Sequence, residues 1–129
     1  MIGGKDILIP TSPGPAALDL ALRAISRRWP SAVFENAETG DMFDTYGSLG
    51  FGPVREILAY KDKEAARQWH ELGADETLVG TMIHVLVSAA GLTLVVDSNP
   101  PLEVSSLVTA IRDGLNHGIF ARIHRRPAA

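Results

Sequence analysis

His84 is the side chain in this sequence with the greatest potential for chemistry, because it lies within an apolar segment. An imidazole can act as a general base when a neighbouring carboxylate orients it and favours its charged form. In a β-hairpin, a two-residue turn at Ala90-Gly91 places His84 opposite Asp97. A three-residue turn with Gly91 in the left-handed conformation places it opposite Val96 instead. The sequence leaves both registers open, so His84 and Asp97 are the candidate catalytic pair.

This pair predicts one of two functions, a small metal-independent enzyme or a ligand-binding domain. Its pocket would lie between the predicted sheet and the 40–55 loop, where Tyr46 or Glu56 can complete it. The competing interpretation is a half-buried structural histidine, because perturbed titratable groups also occur in structural networks.

A second group of candidates is aromatic and lies in a glycine-rich, acidic segment. We expect Phe43, Asp44, Tyr46 and Phe51 to form a partner-binding surface, because aromatic residues are enriched where proteins bind each other. The alternative is that the aromatic residues are ordinary core at strand positions.

Metal, cofactor and nucleic-acid chemistry have little support in the sequence. No cysteine occurs, and the histidines and carboxylates match no HExxH, EF-hand or His-x-His spacing. We therefore predict no cofactor and no metal. The net charge of −3 favours neither nucleic acid nor an anionic membrane surface. The absence of cysteine and of a signal-peptide pattern leads us to expect a cytoplasmic protein.

The elements that must position these residues include an uncharged stretch from Leu78 to Val96, 19 residues long. Its length alone is close to that of a membrane-spanning helix, which needs about 20 apolar residues. Its β-branched residues and the central Gly91 instead favour a buried β-hairpin, which is our prediction.

The remaining elements alternate between strands and helices. One helix is predicted from Lys63 to Leu72, with Asp62 as its N-cap, Gly73 at its C-terminus, and an inner face of Ala65, Ala66, Trp69 and Leu72. We expect an α+β fold: a two-layer sandwich of a mainly antiparallel sheet with helices on one face. The predicted topology is a ferredoxin-like βαββαβ core with an extra C-terminal helix. The length of 129 residues suggests a single domain over residues 1–121, followed by a basic, flexible tail over 122–129.

These observations lead to two hypotheses for function. The first is a non-enzymatic module, of an inhibitor, immunity or adaptor type, that binds another protein through the edge or open face of its sheet. The immunity comparison is an analogy with small acidic bacterial domains. Pairing of two copies through an exposed sheet edge is also open, since such edges must be covered. The second hypothesis is the enzyme or ligand-binding domain that uses His84 and Asp97.

Overall fold

A computed structural model describes residues 4–10, 15–43, 56–73, 75–88, 91–97 and 103–114. Strands and helices are both present, as the sequence predicts. In chain order they are β1 (Gly4–Pro10), α1 (Pro15–Arg28), β2 (Val33–Asn36), β3 (Met42–Phe43), β4 (Glu56–Tyr60), α2 (Lys63–Leu72), a short 3₁₀ helix (Glu76–Leu78), β5 (Met82–Ser88), β6 (Gly91–Asp97) and α3 (residues 103–114).

The six strands of the described residues form one antiparallel sheet in the order β1-β6-β5-β4-β2-β3. The α+β class is therefore confirmed. The apolar stretch around Gly91 forms the predicted hairpin of β5 and β6. Among the described residues, no helix is long and apolar enough to cross a bilayer.

The finer topology differs from the expected one. In a ferredoxin-like sheet the first strand lies in the interior, whereas β1 here pairs with β6 at one end of the sheet. The ferredoxin-like arrangement is not confirmed, because the hairpin of β5 and β6 separates β1 from β4. The predicted tail at 122–129 lies outside the described residues.

One face of the sheet carries the main core, formed with α1 and α3. Apolar residues recur on each helix at the three- and four-residue spacings of a single buried stripe. Alternate residues of the strands meet these stripes. The fully buried members include Leu22 and Ile25 of α1, Ile83 and Leu94 of the sheet, and Leu107 of α3.

The other face is covered in part by α2. Asp62 begins this helix by accepting a 2.7 Å hydrogen bond from the Ala65 amide, and Gly73 ends it with a φ of +67°. Both predicted caps are confirmed. A second, smaller apolar cluster joins α2 to β2, β4 and β5; it contains Val33, Tyr60, Ala65 and Ala66, with Leu58, Trp69 and Met82 partly buried beside it.

Two predictions about α2 differ from the structure, its placement on the same face as the other helices and the burial of Leu72. Its cluster uses Leu58 and Tyr60, whereas the main core uses the alternate residues Ile57 and Ala59. Because successive strand residues point to opposite faces, the predicted placement of all helices on one face is not confirmed. The predicted inner-face position of Leu72 is wrong, since this residue is 56% exposed.

Candidate functional site

The hairpin register decides the surroundings of His84. In the structure His84 lies opposite Val95 of β6, so both predicted neighbours, Asp97 and Val96, are wrong. The reason is Gly91, which we expected in the turn. It is instead the first residue of β6, where it is buried and pairs with Ser88 on one side and Pro10 on the other.

The carboxylate that His84 does contact belongs to Glu56 of β4. The Nε2 atom of His84 lies 2.6 Å from Oε1 of Glu56. Leu58 stands directly opposite His84, so Glu56 reaches the imidazole diagonally across the two strands. Both side chains are partly exposed, at 24% for His84 and 36% for Glu56.

This geometry defines what the pair can do chemically. A carboxylate bound to Nε2 orients the ring and leaves Nδ1 as the nitrogen for a further partner. The pair has the two groups of a general base and its orienting acid. The same contact also meets the hydrogen-bonding requirement of a half-buried histidine on a sheet face, which is a purely structural role.

Of the other predicted site residues, the structure describes Asp97 and Phe43, and neither pairs with His84. Asp97 pairs with Gly4 of β1, at the end of β6. Phe43 pairs with Phe34, and their rings lie 5.7 Å apart beside the main core. Asp44, Tyr46 and Phe51 lie outside the described residues.

A polar cluster that the sequence analysis missed joins α2 to the sheet. The Glu35 Oε1 atom accepts a 2.8 Å hydrogen bond from the Tyr60 hydroxyl and lies 2.6 Å from Nε2 of His70. The Tyr60 oxygen is 3.3 Å from the same nitrogen. The rings of Tyr60 and His70 meet edge to face at 5.8 Å. We call Glu35, Tyr60 and His70 the Glu35 cluster.

Burial dominates the electrostatics of this cluster. It raises the pKa of Tyr60 far above its ordinary range, and the hydrogen bond to Glu35 and the charge of Glu35 act in the same direction. The phenol is therefore a fixed donor near neutral pH. Two sequence signals could have indicated the cluster: Glu35 is a charged residue directly after Val33 and Phe34 in a strand, and His70 lies one helical turn after Ala66.

Beyond the area covered by α2, the same sheet face carries apolar side chains that solvent reaches. Leu8 of β1 is 51% exposed. It lies opposite Thr93, which in turn lies opposite Leu86, and Val95 lies opposite His84. We call this area the open face; it consists of Leu8, Leu86, Thr93 and Val95 with the His84–Glu56 pair.

A groove of about 480 Å³ lies where α2 meets the end of the sheet. We call it the α2 groove. The residues that line it are Val33, Met42, Phe43, Lys63, Ala66, Arg67 and His70. His70 therefore connects the groove to the Glu35 cluster.

Comparisons with known proteins identify no relative of this chain. No protein-family model, curated protein or solved structure matches the chain. Within the described ranges, no three histidine, aspartate or glutamate side chains are grouped so that they could hold a metal ion.

Proposed function

We propose that the protein is a non-enzymatic interaction module that binds another protein through the open face. The observation that carries this proposal is the exposure of Leu8, at 51%, beside partly exposed Thr93, Leu86 and Val95. Apolar side chains grouped at a surface favour protein binding when polar groups surround them.

The composition of the open face supports a protein partner. Its apolar members offer area for hydrophobic contact, and the adjacent His84–Glu56 pair offers hydrogen-bonding groups that can select among partners. The sheet gives these side chains a rigid base, so little conformational entropy is lost on binding. An inhibitor, an immunity-type protein and an adaptor would all use such a surface.

The charge and composition of the chain indicate which partners to expect. The acidic net charge of −3 favours a basic protein over nucleic acid or an anionic membrane. The lack of cysteine fits a cytoplasmic location. A second copy of the chain is also a protein partner of this class, and sedimentation at increasing concentration separates it from a different protein.

The test uses two leucines of similar exposure on different elements. Leu8 lies on the open face and is 51% exposed, whereas Leu72 lies on α2 and is 56% exposed. The tagged wild-type protein is used to capture partners from its host lysate, and the captured protein is then titrated with each variant. We expect Leu8→Glu to weaken binding about tenfold or more, because a charge is buried without a partner. Leu72→Glu should bind as the wild type does.

Two results would overturn the proposal. One is a Leu8→Glu variant that binds the captured partner with unchanged affinity. The other is an empty capture by a protein that circular dichroism shows to be folded, with a single monomeric species in sedimentation.

A second function, a metal-independent enzyme or ligand-binding domain, is favoured by the 2.6 Å contact between His84 and Glu56. In this form Glu56 takes the place that we first expected for Asp97. The ring-proton resonances of His84 in NMR spectra discriminate between the two functions. A small-molecule ligand that shifts them, with no protein partner captured, supports the second.

A further inference from the structure

The α2 groove has the size and shape of a small-molecule site. Its volume of about 480 Å³ falls within the range usual for ligand pockets, roughly 300–1,000 Å³. Its walls come from three different elements, with Val33 on β2, Met42 and Phe43 on β3, and Ala66 on α2. The groove is separate from the open face, so this inference does not rest on the proposed function.

Among the described residues that line the groove, the polar side chains are basic. Lys63, Arg67 and His70 lie at spacings of four and three residues, which places them along one side of α2. None of the described lining residues is a carboxylate. A basic side chain that no protein carboxylate already neutralises would attract an anionic group in a ligand.

The basic side chains differ in what already binds them. Arg67 is held by Glu64 and Glu71, with its Nη1 atom 2.6 Å from Glu71 Oε2. His70 is held through Nε2 by Glu35.

Lys63 is the cation left for a ligand, because its ammonium has no ion-pair partner within the described part of the chain. The nearby Asp62 carboxylate is engaged by the Ala65 amide. A single ammonium group matches a single negative charge.

Apolar groups form the rest of the groove. Met42 is 45% exposed although it is a large hydrophobic residue, and Val33 and Ala66 are buried beside it at 5% each. A ligand body that covered Met42 would remove apolar surface from water, which is favourable. A strongly hydrated anion such as phosphate would leave this surface uncovered.

We propose that the α2 groove binds a small apolar carboxylate. The carboxylate pairs with Lys63, and the apolar body, an aromatic ring or a short branched chain, lies against Met42 and Val33. The remaining ring nitrogen of His70, Nδ1, is the second polar group available to the ligand.

Three probes separate the parts of this proposal. Benzoate carries both the charge and the apolar body, benzyl alcohol lacks the charge, and acetate lacks the body. Each is titrated into the ¹⁵N-labelled full chain and followed by amide chemical shifts. We expect benzoate to shift the amides of Met42, Lys63 and Ala66 saturably. Both other probes should bind about fivefold more weakly or worse.

A matched pair of variants tests the role of Lys63. Lys61 lies two residues away, is paired with Glu103 at 3.1 Å and does not line the groove. We expect Lys63→Gln to weaken benzoate binding by about fivefold or more, whereas Lys61→Gln leaves it unchanged. Met42→Gln tests the apolar contact in the same way, so the proposal remains testable if one variant does not fold.

Several results would overturn the proposal. Benzoate shifts that fall outside the groove would show that the site is elsewhere. Equal weakening by Lys61→Gln and Lys63→Gln would show a nonspecific charge effect. Acetate or inorganic phosphate binding as tightly as benzoate would show a simple anion site instead.

Discussion

Glu56 of β4 and His84 of β5 form a cross-strand pair, with Oε1 of the carboxylate 2.6 Å from Nε2 of the imidazole. The pair is diagonal, because Leu58 and not Glu56 stands directly opposite His84. Diagonal neighbours on adjacent strands remain within reach of long side chains. The pair thus fixes the orientation of a histidine on the open face.

A double-mutant cycle measures the strength of this pair. We expect His84→Gln and Glu56→Gln each to reduce the free energy of unfolding, with a coupling of about 0.5–1 kcal/mol between them, as for partly exposed pairs. Urea denaturation of the wild type, both single variants and the double variant gives the value. Additive effects of the two substitutions would show that the contact contributes nothing to stability.

The raised pKa of Tyr60 predicts a specific loss of stability in alkali. Burial, followed by the bond to Glu35, raises this pKa in the folded state, so the unfolded chain gives up the phenol proton first. The associated stability is present below about pH 10, the ordinary tyrosine value, and decreases as the pH rises above it. Urea denaturation at pH 8 to 11 should show a steeper decline for the wild type than for Tyr60→Phe. Parallel curves would contradict this explanation.

The N-cap of α2 allows a test of one hydrogen bond. Asp62 accepts from the Ala65 amide at 2.7 Å, and loss of such a cap costs about 1 kcal/mol. We therefore expect Asp62→Ala to lower the free energy of unfolding by about that amount. Asp62→Asn is the matched control, because asparagine caps helices about as well as aspartate. An equal loss in both variants would assign the effect to the charge of Asp62.

Two glycines in helical surroundings should respond to alanine in opposite directions. Gly73 has a φ of +67°, whereas Gly114 has helical backbone as the last described residue of α3, and a Cβ atom on either would meet nothing within 4 Å. Because space is available at both sites, backbone conformation decides the outcome. We expect Gly73→Ala to destabilise the fold by about 1 kcal/mol. Gly114→Ala should stabilise it by roughly 0.5–1 kcal/mol. Thermal denaturation of both variants is the measurement, and a shift of the same sign would contradict the argument.

Features that depend on neighbouring residues were predictable from the sequence. Asp62 and Gly73 mark the ends of α2 through their own cap chemistry, and the hairpin follows from β-branched residues on both sides of Gly91. These signals act over a few positions, so a single sequence contains them.

Features that depend on distant pairing were not predictable. The hairpin register follows from Gly91 being part of β6, where it also pairs with Pro10 of β1, a contact between the first and the last of the described strands. That register moves Asp97 away from the position opposite His84 and leaves Glu56 as its partner. Leu72 was assigned to the inner face from helical spacing, whereas the contacts of His70 with Glu35 show that the stripe facing β2 runs through Ala66 and His70.

The pairing of β1 with β6 also sets an order of events during synthesis. Of the six described strands the ribosome makes β1 first and β6 last, yet Gly4 pairs with Asp97, so β1 meets the strand it pairs with only after the other described strands have been translated. Contacts so distant in sequence slow folding, and a waiting strand exposes backbone groups to other chains. A nascent chain of this protein is therefore most vulnerable to aggregation just before β6 emerges, and most dependent on chaperones at that stage.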